Sequence, residues 1–412
     1  MNNSAFNLAR EKSEKITSAL RDISVLIGER NEQSVTLETG VSIIPGLGCS
    51  GDANILVQRA NEIEQGIFNV LVLGEFKNGK STLLNAMLGE EILPSDFLPC
   101  TAIITKIVHG NSDEVAIYKS GQDYPDIFSM KDFNEYFKLR DEDEENIAQA
   151  GYVERFSKIE YAQIERHNRL CNNGVILIDS PGLKEDAART KMAHNFLKQS
   201  QAIIFVLRAD KLLGEDEKEF FECYFQPGQV NNVFIVVSFI DRAKEQGQET
   251  VDKVKRRTKN FFEDYYIDRE GDFDRDFYDR RVFFVNALGA LEVRTRIADK
   301  AVLNSSGVLE LEEELEKFLA SPEKVTATFD STVELLSLIV SNSREQINQE
   351  KLTLDQPLNK LEERRKQAEE QLLELEKDKR DIEQTIFFYR DKIKEKLLDD
   401  LIGYTQEIKD TW

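Results

Sequence analysis

Ile16, Leu20, Ile23 and Ile27 recur by fours and threes. That spacing lines one face of a helix, and residues 1–40 are read as a single N-terminal helix. The next stretch, VSIIPGLGCSGDAN (41–54), is rich in Gly, Pro and Ser and predicts a linker. A second helix over Ile55–Gln65 then leads into a region of different rhythm. There NVLVLG (69–74), VILID (175–179), AIIFVLRAD (202–210), NVFIVVSFID (232–241) and VFFVNA (282–287) are short runs with little apolar–polar alternation. Such runs mark strands covered on both faces. Helical stretches such as KMAHNFLKQS (191–200) and DKVKRRTKNFFEDYY (252–266) separate them, predicting a doubly wound, mainly parallel α/β domain. Beyond about residue 330 glycine almost disappears. Leu354, Leu358, Leu361, Arg365, Ala368, Leu372, Leu375, Lys379, Ile382, Ile386, Tyr389 and Ile393 step by four and three, and only Arg365 and Lys379 interrupt the apolar seam. This register predicts a long helix in a bundle or coiled coil, about 1.5 Å per residue. A helical spacer without mechanical function fits the same seam.

Composition sharpens the picture. Of 412 residues 32% are charged, against about 25% in ordinary domains, an excess that suits long solvated helices. The net charge of −22 argues against a nucleic-acid partner, which needs a clustered basic face. It also removes broad electrostatic attraction to anionic lipid. Cys49, Cys100, Cys171 and Cys223 form no CxxC pair, and with His109, His167 and His194 they give zinc little to bind. Free buried thiols in a reducing cytosol are expected. The opening MNNSAFNLAREKSEK is not a signal peptide, and no window approaches a membrane span. A cytoplasmic location is expected, and DEDEE (141–145) reads as a solvated loop.

The chemistry sits at strand ends. Gly74, Glu75, Phe76, Lys77, Asn78, Gly79, Lys80, Ser81 and Thr82 fit GxxxxGK[ST] between a strand and a helix. This is the phosphate-binding loop of P-loop proteins. Glycines let backbone N–H groups curl around a phosphate, and the helix adds its positive end. Lys80 would bridge the β- and γ-phosphates and Ser81 would ligate Mg²⁺. Asp179-Ser180-Pro181-Gly182 follows VILI and fits DxxG. Asp179 would hold a water on Mg²⁺, and the Gly182 amide would sense the γ-phosphate, so that LKEDAART can relax when it leaves. Between the two motifs LPSDFLPCTA (93–102) offers Thr101, with Thr105 its nearest rival, to close over Mg²⁺. Ser238-Phe239-Ile240-Asp241 stands where GTPases carry NKxD. Asp241 keeps the carboxylate that accepts from guanine N1 and N2. Ser238 is expected not to tether neighbouring loops as asparagine does, while Phe239 offers an aromatic face for the purine. Asn286, after VFFV, would supply the remaining base loop.

GEFKNGKST, LPSDFLPCTA and DSPGL together resemble the bacterial dynamin-like proteins, the branch related to mitofusins. The resemblance implies a dynamin-type GTPase domain over 55–325. It places neck helices at 1–40 and 326–352, the linker at 41–54, and a trunk helix, cut short, at 353–412. It implies hydrolysis of GTP to GDP and phosphate with Mg²⁺, coupled to head dimerisation and helical-arm movement in membrane fusion or fission. Self-association and peripheral contact with a lipid membrane follow from the same family. Carried over by position, Ser81, Thr101 and Asp179 are the metal set, and Lys80, Thr101, Gly182 and Lys77 the catalytic set. Two departures stand out. Phe76 and Lys77 replace the glutamine and serine of dynamins proper, which leaves Lys77 as the candidate transition-state cation or a plain loop lysine. Leu183 follows DSPG where Ras-like enzymes place glutamine. A non-membrane switch GTPase, a P-loop ATPase with a coiled coil, and a nucleotide-locked scaffold are the other readings.

Overall fold

A computed structural model describes residues 2–29, 35–36, 40, 42–43, 46–75, 77–93, 103–112, 114–122, 124–137, 158–180, 196–197, 199–225, 230, 232–268, 270–296 and 300–354, with 365, 366, 369, 370 and 377 beyond. The chain divides into two compact units, 1–340 and 341–412.

The first unit is built on one sheet. Its strands are β3 (Phe68–Leu73), β4 (Thr105–His109), β5 (Glu114–Lys119), β6 (Asp126–Ser129), β7 (Ile159–Arg166), β8 (Val175–Asp179), β9 (Ala202–Arg208), β10 (Val233–Ser238) and β11 (Val282–Phe284). They lie in the order β11-β10-β9-β3-β8-β4-β7-β5-β6. From β11 to β8 every pairing is parallel. β4 then runs antiparallel to β8 and parallel to β7, and β5 is antiparallel to both β7 and β6. The expected doubly wound, mainly parallel sheet is therefore what the chain forms, with four strands beyond those expected from the apolar runs. Preceding the sheet, β1 (Val35–Thr36) and β2 (Ser42–Ile43) make a two-residue antiparallel pair.

Period-two alternation explains the continuous apolar runs. Val70, Val72, Leu177, Ile204, Val206, Phe234 and Val236 face one core, against Leu83, Leu84 and Met87 of α3 (Lys80–Leu88). Their neighbours Leu71, Leu73, Ile178, Ile203, Phe205, Leu207, Ile235 and Val237 face the other. Neither face of these strands is solvated, so both need apolar residues.

The N-terminal helix α1 (Asn2–Ile27) ends with the last residue of its apolar stripe, short of the expected span 1–40. The linker folds back on that end: the amides of Gly46, Cys49 and Gly48 donate to the carbonyls of Leu26, Ile27 and Gly28 at 3.2, 2.8 and 2.8 Å. Terminal helix carbonyls need such partners. The second helix, α2 (Ser50–Gln65), starts at Ser50, inside the expected linker, with Asp52 in its first turn where the helix dipole favours an acid. Leu20 and Ile27 of α1 pack on Ala53, Leu56 and Ala60 of α2 and on Leu335 and Ile339, with Ile16 and Ile23 alongside. The predicted stripe is thus a buried face. Arg21 forks onto Glu64 at 2.6 and 2.7 Å. Leu335 and Ile339 belong to a long helix over Pro322–Leu354.

In the second unit the described residues 365, 366, 369, 370 and 377 are helical, with an exposed Arg365–Glu369 pair at 3.2 Å. Of the expected heptad seam, Leu354 ends the helix Pro322–Leu354 and Arg365 is described; its other positions, and DEDEE, lie outside the described residues. Cys171 is buried as expected, and burial pushes its thiol up to about 12. Cys223 is exposed, contrary to the buried thiols expected. No helix of the described residues is long and apolar enough to cross a membrane.

Candidate nucleotide site

β3 delivers the chain to Gly74, whose φ is +154°. A Cβ there would lie 2.3 Å from the Val206 carbonyl oxygen, so the loop leaves the sheet where only glycine fits. Gly79, at φ +84°, caps α3 and turns the first amides of that helix toward the loop. Lys77 is left-handed at φ +65°, a conformation that costs a non-glycine residue about 1–2 kcal/mol. Asn78 braces the loop from within. Its buried side-chain amide donates to Val206 O at 2.8 Å and to Glu217 Oε1 at 2.9 Å. Burial pushes the Glu217 carboxyl up, against the opposing hydrogen bonds from Asn78 and the Gly214 amide. Glu75 is paired with Lys211 at 3.1 Å.

Lys80 is only 5% exposed, and its Nζ donates to the carbonyls of Gly74 and Glu75, both at 3.0 Å. The ammonium is thereby held inside the curve of the loop. Ser81 Oγ donates to Asp179 Oδ2 at 2.9 Å, joining the loop to the DSPG turn. Asp179 is fully buried at the end of β8. Ser180 donates to Val72 O at 2.7 Å and fixes that turn against β3. A hydroxyl and a carboxylate converging at this spacing are hard oxygen donors of the kind Mg²⁺ takes, so the residues present fit that ion. Thr82 lies in the first turn of α3.

The base side corrects one expectation. Ser238, at the end of β10, is 2% exposed, and its Oγ lies 2.7 Å from Asn78 O and 2.8 Å from Leu207 O. It does tether neighbouring loops, because the strand end comes close enough to the phosphate loop for a one-carbon side chain to reach. Phe239 is left-handed at φ +57°, with the guanidinium groups of Arg208 and Arg242 at 4.7 and 4.4 Å from its ring centre. Asp241 is half-buried in the first turn of the short helix Ile240–Glu245. Asn286 caps the helix Ala287–Thr295 by accepting from the Gly289 amide at 2.9 Å. Hydrogen bonds thus bring Asn78, Lys80, Ser81, Asp179 and Ser238 together around one loop. They do not join Asp241 or Asn286 to that set among the described residues. Thr101, Gly182, Phe76 and Leu183 lie outside the described residues. The rival Thr105 is buried in β4, in register with Asp179.

Sequence reasoning did not single out Glu217, Ser180, Arg208, Asp210 or Arg242. The only signal for Arg208 was a charge closing the apolar run AIIFVLRAD.

The sequence profile of the Dynamin family matches residues 70–239, from β3 to the base loop. That stretch of the chain is similar to the Dynamin family. The chain is 28% identical over 364 residues to the bacterial dynamin-like protein of Nostoc punctiforme, an alignment covering 84% of this chain and 52% of that one. It is 25% identical over 229 residues to mitofusin-2 of Rattus norvegicus, covering 56% and 29% of the two chains. Among solved structures it is similar to a member of an oligomerised bacterial dynamin pair, with TM-score 0.47, 19% identity and coverage of 91% of this chain and 51% of that one. The resemblance read from the motifs is borne out, and the chain spans about half the length of the Nostoc relative.

Proposed function

We propose that this protein is a dynamin-like mechanochemical GTPase, which hydrolyses GTP to GDP and phosphate and couples the reaction to head pairing and helical-arm movement in membrane remodelling. The observation that carries the reading is the Ser81–Asp179 contact beside a buried Lys80. It puts the phosphate loop and the DSPG turn at one point.

In this reading Lys80 exchanges its two carbonyl partners for β- and γ-phosphate oxygens and offsets charge in the transition state. The amides of Gly74–Ser81 cradle the phosphates, helped by the positive end of α3. Ser81, Asp179 and Thr101 hold Mg²⁺, which supplies further neutralisation of the phosphate oxygens. The Thr101 carbonyl positions the attacking water and the Gly182 amide reports the γ-phosphate. Asp241 accepts from guanine N1 and N2, and Asn286 and Ser238 frame the base loop. Lys77 stands at the loop apex as the added cation for a paired head. The packing of α1 and α2 on Leu335 and Ile339 supports an arm rooted beside the GTPase domain.

Phosphate release is measured over a wide range of protein concentration, with and without neutral-lipid vesicles. Specific activity that climbs with concentration, and co-sedimentation with the vesicles, are expected. Activity per molecule that stays flat and no vesicle binding would contradict the coupling to head pairing and membrane.

A further inference from the structure

β9 lies between β3 and β10 in the sheet. The phosphate loop leaves one neighbour and the base loop leaves the other, so the end of β9 is within reach of both. Successive residues use that position. Val206 O accepts from Asn78 of the phosphate loop, and Leu207 O accepts from Ser238 at the base loop. Arg208, the last residue of β9, touches both loops with one side chain. Its Nη1 donates to Lys77 O at 3.2 Å, and its guanidinium stands 4.7 Å from the centre of the Phe239 ring.

These two contact points are unusual. Among the described residues, left-handed non-glycine backbone occurs at Lys77, Asn173, Leu213 and Phe239. Arg208 holds two of the four. Such residues persist only where their surroundings over-determine them. The arginine is itself fixed in place: Nε and Nη2 fork onto Asp210 at 2.8 and 2.6 Å, and Asp210 also accepts from Arg242 Nη1 at 3.2 Å. Arg242 returns to the same ring at 4.4 Å. The fork holds the Asp210 carboxyl below its ordinary range, so the pair stays charged near neutral pH. The ring also lies against the phosphate loop, since a Cβ on Gly79 would sit 3.4 Å from Phe239 Cε2. The circuit Lys77–Arg208–Asp210–Arg242–Phe239 therefore closes between the loop apex and the segment that carries Asp241.

We propose that Arg208 is a positioning residue for nucleotide selectivity, tying the apex of the phosphate loop to the base-reading loop so that guanine recognition at Asp241 sets the phosphates for reaction. This rests on the GTPase reading above. A planar guanidinium can fork a carboxylate, lie against a ring and still present an N–H to a carbonyl; a lysine ammonium has no plane with which to do all three. Adenine gains nothing from Asp241, so turnover of ATP depends less on the tie.

The test is steady-state hydrolysis of GTP and of ATP by the full chain, comparing wild type with Arg208→Ala and Arg208→Lys, each checked by a thermal melt. Loss of a charged hydrogen bond lowers kcat/KM for GTP by about tenfold or more. The loss for ATP is smaller, so the GTP-to-ATP ratio shrinks. Arg208→Lys recovers part of the rate and little of the ratio. Equal losses for both nucleotides, or an unchanged ratio in Arg208→Lys should the alanine variant not fold, overturn the inference alone. A wild-type protein without preference for GTP contradicts the GTPase reading and the inference together.

Discussion

Glu217 is 2% exposed, yet it carries a carboxylate against the phosphate loop, accepting from Asn78 Nδ2 at 2.9 Å and from the Gly214 amide at 3.0 Å. Replacing it with glutamine keeps one oxygen for Asn78 and turns an NH₂ toward Gly214. The stranded backbone N–H then costs about 1–3 kcal/mol. Against that, the variant no longer buries a charge. Burial raises the Glu217 carboxyl above its ordinary 4.5, outweighing the hydrogen bonds that lower it. A group whose folded pKa is raised contributes stability that is fully present below its unfolded pKa. That contribution is lost as pH rises through the folded value, because the folded state then binds more protons than the unfolded one. The wild-type advantage over Glu217→Gln should therefore be larger at acid pH and narrow as the pH rises. Urea denaturation of both proteins at pH 5 and pH 8 reads the difference, and other titrating groups cancel in the comparison. A difference that is constant or widens with pH would refute the assignment of a destabilised carboxylate at this brace.

Three further substitutions probe the same site. Gly74→Ala forces a Cβ to 2.3 Å from the Val206 carbonyl at φ +154°, which should lower stability by about 1–3 kcal/mol from overpacking alone. A melting temperature within a degree of wild type would count against that geometry. Ser238→Ala removes the hydroxyl shared by Asn78 O and Leu207 O and should cost about 1–3 kcal/mol with weaker GDP binding by calorimetry. Unchanged binding would mean the two loops are held without it. Ser81→Ala deletes a proposed metal oxygen and should raise the Mg²⁺ needed for half-maximal GTP turnover by about tenfold or more; an unshifted magnesium titration would remove Ser81 from the metal set.

The parallel half of the sheet was legible because both of its faces are buried. Val70 and Val72 serve one core and Leu71 and Leu73 the other, so the stretch Val70–Leu73 of β3 has no polar position to break the run. The strands β4 to β7 were not legible for the opposite reason. In β5 and β7 buried Val115, Ile117, Ile159, Ala162 and Ile164 are mixed with less buried polar residues such as Glu114 and Glu160, and so short a pattern is easily taken for loop. The linker was read from composition, whereas Ser50 and Asp52 suit a helix start. At the site, motifs identified the residues whose chemistry is local to the loop, Lys80, Ser81 and Asp179. They were silent on Arg208 and Glu217, whose roles come from strand order and from an Asn78 side chain turned inward. Ser238 was misjudged because a side chain's reach depends on backbone separation, which no motif encodes.

The central claim is that the loop closed by Lys80, Ser81 and Asp179 hydrolyses GTP. Phosphate release from GTP and from ATP, each with Mg²⁺, beside a Lys80→Ala control, tests it most directly. Turnover of GTP well above that of ATP, abolished in the control, is the predicted result. Faster turnover of ATP, or GTP turnover that survives the loss of Lys80, would contradict it.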